Sequence, residues 1–287
     1  MSALKWYPAP GKLNLFLHVL GRRDDGYHLL QTVFRLIDRC DRVGVRARAD
    51  GELRRVEPCP TVPEKDDLAL RAALVLKEYA LARMGPAARP LGADIALEKN
   101  LPIGGGLGGG SSDAATVLLV LNRLWDLNLP RSELMSLALQ LGADAPLFVF
   151  GESALGEGIG ERLTTLVLPP AWYLVLVPQV AVSTKEIFSD AALTRDSKQL
   201  KIPPFLSGQG RNDLEAVVTA RYADVAAHLA WLRQRAAGVR MTGSGACVFA
   251  EFSERDEAQA LQSQLPETMR GFVTRGLQRH PLYDWAD

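Results

Sequence analysis

Apolar and polar residues alternate along residues 12–20, where leucine or valine occupies every second position. A period of two is typical of a β-strand with one buried face. Asp24, Asp25 and Gly26 then form a turn sequence, and a second apolar run covers residues 29–37. The pattern therefore predicts a β-hairpin near the beginning of the sequence.

The next apolar runs predict further strands and one long helix. Residues 42–56 favour additional short strands. Asp66 or Asp67 is a suitable N-cap for a helix that extends to about Gly85. Residues 93–98 then return to the pattern of a strand.

A run rich in glycine separates this strand from a strongly apolar helix. That helix is predicted for residues 111–125, and a second helix is predicted for residues 132–141 with its end at Gly142. Because residues 143–150 follow directly and are apolar, we interpret them as a buried strand. The order strand, glycine run, helix places the glycines at a helix N-terminus.

The second half of the chain follows a Pro-containing connection at residues 163–171. Beyond it we predict a strand at residues 172–177, a helix from Ser183 or Thr184, a helical stretch at residues 213–235, a β-hairpin at residues 241–248, a helix at residues 256–264 and a strand near Phe272. Strands and helices interleave, so the predicted fold class is α+β. The length of 287 residues favours two domains, which we place at residues 1–165 and 166–287.

The composition excludes several classes of protein. Hydrophobic residues make up 47% of the chain and charged residues 23%, as in an ordinary globular protein. The 33 basic and 33 acidic residues balance, so the chain lacks the positive field that non-specific binding to nucleic acid or a membrane surface needs. No apolar run reaches the roughly 18 residues of a membrane helix. We therefore expect neither nucleic acid nor a membrane as a partner.

The cysteines and the N-terminus indicate a compartment. Cys40, Cys59 and Cys247 are odd in number and lack CxxC spacing, which argues against a disulfide framework or a zinc site. The first residues lack the apolar core of a signal peptide. We expect a cytoplasmic protein.

The glycine run has the properties of an anion-binding loop. Six of the seven residues at positions 104–110 are glycine, so the backbone can adopt positive φ angles and approach a ligand closely. Because the loop leads into a helix, its free amides and the helix dipole converge on one place, which suits a polyphosphate. The hydroxyls of Ser111 and Ser112 can cap the helix, hold a phosphate oxygen or help to bind magnesium.

Three other interpretations of the loop fit the sequence less well. A flexible linker would mix glycine with more serine and would not lie between a strand and an apolar helix. A Walker A loop needs Lys-Ser or Lys-Thr after the glycines, and this pair is missing. The Rossmann pattern is met by Gly104, Gly106 and Gly109, but Asp126 lies in the wrong context for its acidic residue.

Four segments of the chain resemble motifs of the GHMP kinase superfamily. They are PAPGKLNLFLHVLGRRDDGYHLLQT at residues 8–32, PIGGGLGGGSSDAA at residues 102–115, LGADAPLFVFG at residues 141–151 and MTGSGACV at residues 241–248. The glycine motif alone is also consistent with mevalonate, homoserine and galactose kinases. The first motif is more specific, and it is similar to that of a branch whose substrate carries a cytidine diphosphate group.

The resemblance implies an α+β fold of two domains with the active site in the cleft between them. The N-terminal α/β domain would be similar to ribosomal protein S5 domain 2, and the C-terminal domain would be ferredoxin-like. ATP and Mg²⁺ are the implied cofactors, and the implied partner is a small-molecule alcohol with a cytidine diphosphate group. The residues implied to bind ATP are Lys99, Pro102, Ile103, Gly104, Gly105, Gly106, Leu107, Gly108, Gly109, Gly110, Ser111 and Ser112. The magnesium ligands stay open.

Two charged residues are implied to be catalytic. The resemblance assigns Asp144 as the base that accepts the proton of the substrate hydroxyl, and Lys12 as the lysine beside it. A lysine there would hold Asp144 ionised and offset the charge that develops on the γ-phosphate. Without the resemblance, a turn aspartate and a solvated lysine would be the ordinary interpretations.

The other assignments concern the substrate. Tyr27 and His28 follow the turn and are expected to stack on a flat base, with Phe188 on its other side. A surface histidine and a core phenylalanine are the ordinary alternatives. The residues implied to bind the substrate are Asn14, Tyr27, His28, Thr184, Phe188, Gly243 and Ser244.

Asp113 departs from the simplest loop of the superfamily, which has a small residue there. An acid close to ATP would repel phosphate unless it faces away or toward the metal. Two rival functions also stay open: a GHMP kinase for another small alcohol, and an RNA-binding module on the S5-like fold. The basic residues available to the second rival are Arg39, Arg42, Arg46, Arg48, Arg54 and Arg55. On strands such charges more often line a solvated face.

Overall fold

The computed structural model describes residues 3–56, 59, 62–85, 90–201 and 210–286. Its strands are β1 Lys5–Arg22, β2 His28–Arg48, β3 Leu53–Arg55, β4 Gly92–Glu98, β5 Ala154–Gly158, β6 Arg162–Thr165, β7 Trp172–Leu176, β8 Arg240–Met241, β9 Val248–Phe252 and β10 Gly271–Leu277. Its helices are α1 Leu68–Met84, α2 Gly109–Leu124, α3 Arg131–Leu139, α4 Ala145–Phe150, α5 Thr184–Ser189, α6 Glu215–Arg221, α7 Ala223–Arg233 and α8 Arg255–Gln262.

The predicted N-terminal hairpin is confirmed, and its strands are long. β1 and β2 pair antiparallel around the turn at residues 24–26. β2 is continuous over 21 residues, where the sequence pattern predicts separate strands, because it also pairs with β4, β5 and β10. The β1–β2 register shifts between Asn14 and Phe16. A bulge of this kind re-aims side chains and is common beside active sites.

One sheet runs through both predicted domains. Its central path has the order β3-β4-β2-β10-β7-β9-β8. β10 connects the halves, since it pairs with β2 through Gly276 and Leu277 and with β7 along five residues. The α+β class is confirmed, whereas the domain boundary at residue 165 stays a prediction.

The helices cover two parts of this sheet. α1 to α4 pack with β2 and β4 into one apolar core, and α5 to α7 pack with β7 and β9 into another. α2 lies inside the first core, because every residue from Ser112 to Asn122 is buried. Within the described ranges no helix has the length and apolar character needed to cross a bilayer.

Helix termini follow the predicted capping chemistry closely. The Asp67 carboxylate accepts the N–H groups of Ala69 at 2.8 Å and Leu70 at 3.4 Å, and Gly85 follows the last turn of α1. α2 begins two residues earlier than predicted, at Gly109. The predicted helical stretch at residues 213–235 is divided into α6 and α7 at Tyr222, whose backbone is extended.

The interpretation of residues 143–150 as a strand is wrong. Residues 145–150 form the helix α4, which has Pro146 in its first turn and Gly151 in the left-handed conformation after its end. Proline in the first helical turn and glycine after the last are typical helix boundaries. A short run that is apolar throughout does not by itself distinguish a buried strand from a buried helix.

Candidate active site

A cavity of about 1070 Å³ lies where the N-terminal hairpin, the glycine loop and the C-terminal hairpin meet. It brings together 20 of the predicted site residues: Lys12, Asn14, Tyr27, His28, Lys99, Pro102, Ile103, Gly104, Gly105, Gly106, Leu107, Gly108, Gly109, Gly110, Ser111, Asp144, Thr184, Phe188, Gly243 and Ser244. Ser112 does not line the cavity, because it is fully buried within α2.

The glycine loop presents its amides to this cavity. The carbonyl oxygen of Gly105 accepts a hydrogen bond from the Cys247 N–H at 3.2 Å, and that of Leu107 accepts one from the Lys12 N–H at 2.9 Å. In a trans peptide unit the N–H group points opposite to the carbonyl. The following amides, those of Gly106 and Gly108, therefore point away from the Cys247 and Lys12 backbone, and both glycines line the cavity.

The start of α2 adds to this anion-binding character. Gly108 is the N-cap of the helix and has a φ of 72°, a conformation that glycine adopts without strain. The helix is 16 residues long, and its first amides have no partners within the helix. Free amides and the positive end of the helix dipole thus converge beside the loop, as predicted.

The loop is packed tightly against the C-terminal hairpin. A Cβ at Gly106 would lie 2.3 Å from the carbonyl oxygen of Thr242, and a Cβ at Gly105 would lie 2.7 Å from the Cys247 sulfur. Neither position has room for a side chain. The glycines at these two positions are therefore required by close packing.

The side chain of Lys12 lies close to residues of all four motifs. It donates to Asn14 Oδ1 at 2.6 Å and lies 3.2 Å from Asp144 Oδ2. A Cβ at Gly243 would lie 3.2 Å from Lys12 Nζ, and a Cβ at Gly108 would lie 3.2 Å from Lys12 Cε. Lys12 is only 2% exposed, so the sheet and the two glycine turns fix its charge in place.

Asn14 is oriented by a neighbour that the sequence did not indicate. Its Nδ2 donates to Thr32 Oγ1 at 2.8 Å, and the Thr32 hydroxyl in turn donates to the Phe16 carbonyl at 2.5 Å. Because Thr32 Oγ1 accepts from the amide nitrogen, the amide oxygen of Asn14 faces Lys12. A directional chain of hydrogen bonds therefore leads from the Phe16 carbonyl to the Lys12 ammonium.

Asp144 occupies the N-cap position of α4 at the cavity wall. Its side chain is 37% exposed, in contrast to the buried Lys12. The carboxylate makes no capping hydrogen bond to its own helix. One carboxylate oxygen faces Lys12, so the exposed part of the group is available to a ligand in the cavity.

The C-terminal motif contributes a tight backbone turn. Asn212 donates from Nδ2 to the carbonyl oxygens of Met241 at 2.8 Å and Gly243 at 2.7 Å. The hydroxyls of Thr184 and Ser244 lie 2.6 Å apart. The start of α5 and this turn are thereby joined on one side of the cavity.

The residues predicted to hold a flat base lie together at the far end of the cavity. The rings of His28 and Phe188 are 5.0 Å apart between centroids, at an angle of 36°. Tyr27 is 58% exposed at the rim. An aromatic surface is thus present, although His28 and Phe188 contact each other directly.

Arg195, for which no sequence pattern indicates a role, holds His28 in place. Its Nε donates to His28 Nε2 at 3.1 Å, and its other nitrogens donate to the carbonyl oxygens of Phe188 and Asp190 at 3.0 and 2.6 Å. Burial lowers the pKa of His28, and the charges of Arg195 and Arg22 lower it further. His28 is therefore neutral at pH 7 and carries its proton on Nδ1.

Lys99 lies in the cavity wall, but its ammonium group is engaged by two carboxylates. It bonds to Asp113 Oδ2 at 2.5 Å and to Asp41 Oδ2. Burial alone would lower the pKa of Lys99, yet Asp113 and Asp41 together raise it. Asp113 thus faces the lysine rather than a metal, and the role of Lys99 in binding ATP stays a prediction. We call Asp41, Lys99 and Asp113 the buried triad.

No preformed metal centre stands among the described residues. No three histidine, cysteine, aspartate or glutamate side chains in the described ranges are placed to share an ion. Ser111 lines the cavity, whereas Ser112 is buried and its hydroxyl has no hydrogen-bond partner among the described groups. Ser111 is therefore the better placed of the two hydroxyls for a ligand in the cavity.

Comparison with known proteins places this geometry in a family. The family model described as GHMP kinases N terminal domain matches residues 67–152, and the one described as GHMP kinases C terminal matches residues 191–271. These two segments contain the glycine loop, Asp144 and the C-terminal turn.

Two curated relatives are similar along almost the whole chain. The 4-diphosphocytidyl-2-C-methyl-D-erythritol kinase of Thiobacillus denitrificans is 58% identical over 280 residues, which is 98% of each chain. The enzyme of the same name from Nitrosospira multiformis is 57% identical over 282 residues, covering 98% of this chain and 94% of that one.

A solved structure agrees with both. A crystal structure of 4-(cytidine 5'-diphospho)-2C-methyl-D-erythritol kinase superposes with a TM-score of 0.81 at 33% identity, covering 95% of this chain and 100% of that one. The predicted GHMP kinase fold is confirmed. The chain belongs to the GHMP kinases and, among them, to the family of 4-diphosphocytidyl-2-C-methyl-D-erythritol kinases.

Proposed function

We propose that this protein transfers the γ-phosphoryl group of ATP to the 2-hydroxyl of 4-diphosphocytidyl-2-C-methyl-D-erythritol. A bond forms between the alcohol oxygen and the γ-phosphorus, and the bond from that phosphorus to the β–γ bridging oxygen breaks. The hydroxyl proton passes to Asp144, and the products are the 2-phosphate and ADP. The reaction belongs to the non-mevalonate route to isoprenoid precursors.

The position of the Lys12 ammonium group is the observation that carries this proposal. It lies 3.2 Å from Asp144 Oδ2, and the Cε atom of the same side chain would lie 3.2 Å from a Cβ placed on Gly108 of the phosphate loop. A buried cation between a base and a phosphate loop keeps the base ionised and stabilises charge on the transferring group. Phosphoryl transfer needs little else from a protein than such positioning and charge stabilisation.

The cavity residues fit ATP. The amides of Gly106 and Gly108, together with the first amides of α2, provide donors for phosphate oxygens. Gly105 and Gly106 carry no Cβ between the loop backbone and its surroundings, since one there would collide with Cys247 and Thr242. The phosphates would therefore lie against the backbone, with the γ-phosphate directed to the Lys12 side of the loop.

Mg²⁺ would be held mainly by the nucleotide. Magnesium commonly keeps several waters and binds through substrate phosphates with one or two protein ligands. The hydroxyl of Ser111 is the protein group that we propose for it. When bound, the ion supplies positive charge that offsets the charge of the phosphates.

The aromatic surface at the far end suits the cytidine group. Neutral His28, with its proton on Nδ1, offers a hydrogen-bond donor beside the rings of Phe188 and Tyr27. A flat base can stack there while the diphosphate extends toward Lys12. We propose that this end of the cavity selects a cytidine-bearing alcohol over mevalonate or homoserine.

The RNA-binding alternative loses support from the arginines on which it depended. Arg42 pairs with Glu98, Arg46 and Arg48 pair with Asp94, Arg54 pairs with Glu52, and Arg55 pairs with Asp67. Acidic partners offset the positive charge of this surface. Cys40, Cys59 and Cys247, which all lie within the described ranges, form no disulfide, which accords with the expected cytoplasmic location.

One assay tests the proposed reaction. ADP release is measured with 4-diphosphocytidyl-2-C-methyl-D-erythritol, with mevalonate and with homoserine. We expect turnover with the first alcohol only. Because Asp144 accepts the proton, Asp144→Asn should lower kcat by about 10² to 10⁴-fold.

A matched variant controls for the loss of one negative charge. Asp256 lies in the first turn of α8, outside the cavity, so Asp256→Asn should keep the parent rate. The proposal fails if the diphosphocytidyl alcohol gives no ADP. The role of Asp144 fails separately if Asp144→Asn keeps the full rate.

A further inference from the structure

The two ends of the phosphate loop are joined to each other by buried charges. Lys99 lies shortly before Pro102, where the loop begins, and Asp113 follows Ser112, where it ends. The Lys99 Nζ lies 2.5 Å from Asp113 Oδ2. This ion pair therefore closes the loop at its base.

Asp41, from β2, attaches the same pair to the sheet. One of its oxygens bonds to Lys99, and the other accepts the backbone N–H groups of Asn100 at 2.6 Å and Leu101 at 2.7 Å. The side chain of Asp41 is completely buried. One carboxylate thus holds the backbone of Asn100 and Leu101 and the side chain of Lys99.

The buried triad also contacts the first residue of α2. A Cβ at Gly109 would lie 3.0 Å from Asp41 Oδ2 and 3.3 Å from Lys99 Nζ. The charged groups therefore pack directly under the backbone whose amides face the cavity. A displacement of the triad would move the start of the helix with it.

Stability is a weak explanation for this arrangement. Two carboxylates share one ammonium group in a buried place, and burial raises the pKa of Asp113 to about 7, so ionising it there is unfavourable. Asp113 Oδ1 has no hydrogen-bond partner among the described groups. Buried ion pairs of this kind often contribute less to folding than apolar residues of the same volume would. The triad must serve another purpose to offset this cost.

We infer that the Lys99–Asp113 ion pair is a positioning device that fixes the phosphate loop for nucleotide binding. It sets the distance between the two ends of the loop and so the direction of the amides between them. In this role Lys99 acts through the loop backbone. The inference rests on the proposed use of ATP by this site.

The test measures the Kd of ADP with Mg²⁺ by calorimetry, alongside the Kd of the diphosphocytidyl alcohol. Asp113→Leu removes the acceptor for Lys99 but keeps a γ-branched side chain, and Asp113→Asn keeps an oxygen acceptor of the same shape. Loss of a charge-assisted bond should weaken ADP binding in Asp113→Leu by about 10- to 100-fold. The Kd of the alcohol should change by less than about twofold, because its base lies at the other end of the cavity.

Asp113→Asn is the matched control and should keep ADP binding within about threefold of the parent. If Asp113→Leu binds ADP as the parent does, or weakens both ligands equally, the inference is overturned. Should Asp113→Leu fail to fold, Lys99→Met replaces it with the same expectations. Failure of both to fold would show a purely structural role and would also overturn the inference.

The experiment separates this inference from the proposed reaction. ADP binding needs no acceptor alcohol, so it reports on the loop alone. If the parent protein binds ADP but does not phosphorylate the diphosphocytidyl alcohol, the proposed function is contradicted and the positioning role is not. If the parent protein phosphorylates the diphosphocytidyl alcohol but Asp113→Leu has an unchanged Kd for ADP, the proposed function stands and the positioning role is overturned.

Discussion

Gly106 and Thr242 approach each other backbone to backbone, so closely that a Cβ on Gly106 would lie 2.3 Å from the Thr242 carbonyl oxygen. One residue belongs to the phosphate loop and the other to the turn between β8 and β9. The loop is therefore shaped by the C-terminal half of the chain as much as by its own glycines. We therefore expect nucleotide binding and the packing of the two halves to be coupled at this contact.

Gly106→Ala should disrupt both nucleotide binding and the packing of the two halves. The new Cβ meets a backbone atom that has no flexible end to move, and Gly106 has a φ of 76°, which alanine adopts only with strain. We expect a loss of roughly 2 kcal/mol or more in the free energy of unfolding, measured by urea denaturation without nucleotide.

Gly110→Ala is the matched control from the same loop. A Cβ there would meet only Leu68 Cδ1 at 3.5 Å, and the residue lies in a helical turn where alanine is favoured over glycine. Its free energy of unfolding should equal or exceed that of the parent. Equal losses in the two variants would contradict the packing argument.

The hydroxyl of Thr32 should be necessary for the full kcat. Thr32→Val keeps the shape of the side chain but removes the hydroxyl that orients the Asn14 amide. The buried amide would lose its partner, and Lys12 would lose a fixed acceptor. We expect kcat to fall about tenfold or more, with the KM for ATP nearly unchanged.

Thr32→Ser provides the conservative comparison, because serine can donate to the Phe16 carbonyl and accept from Asn14. Its kcat should lie well above that of Thr32→Val in steady-state assays. If valine and serine lower kcat to the same extent, the hydroxyl has no orienting role. If valine raises only the KM for ATP, the defect lies in nucleotide binding instead.

The local features of this site could be predicted from the sequence. Glycines before an apolar helix indicated a phosphate loop, and the α2 helix begins within two residues of the predicted start. The alternation after Lys12 placed Asn14 on the same face, and the two side chains do hydrogen-bond. Both features depend on neighbours in the chain, which periodicity and capping rules describe well.

Long-range partners could not be predicted from pattern alone. Only the family resemblance predicts the approach of Asp144 to Lys12, and the apolar pattern predicts a strand where the helix after Asp144 stands. The partners of Lys99 come from β2 and α2, and nothing in a strand-end lysine indicates them. Such contacts are set by the tertiary packing of separate elements, which a single sequence does not record.

His280 should make the protein less stable in acid. Burial, reinforced by the charge of Arg131, lowers the pKa of His280 to about 3. Its Nδ1 accepts the N–H of Leu282 at 2.9 Å, which requires the neutral ring. Between pH 6.5 and 3 the unfolded chain binds this proton and the folded protein does not. The free energy of unfolding should therefore fall as the pH falls below 6.5, by about 1.4 kcal/mol per pH unit from this group.

His280→Asn isolates that contribution, because the asparagine oxygen can accept from Leu282 but does not titrate. Comparison of the two proteins by urea denaturation between pH 6.5 and 4.5 cancels the carboxylates they share. The parent should lose about 2 to 3 kcal/mol more than the variant over this interval. Parallel curves would mean that His280 can gain its proton without disturbing the fold.

Arg195 should control the recognition of the cytidine end. Arg195→Met removes the donor to His28 Nε2 and the bonds that hold the Phe188 and Asp190 carbonyls. The KM for the diphosphocytidyl alcohol should rise about tenfold, and the KM for ATP should stay within about twofold of the parent.

The pKa of His28 should rise as well in Arg195→Met, because one of the charges that lower it is gone. NMR titration of the His28 ring measures that shift, and Arg22→Gln, which removes the weaker of the two charges, should give a smaller one. An unchanged His28 titration together with an unchanged KM for the alcohol would show that Arg195 only holds its own loop.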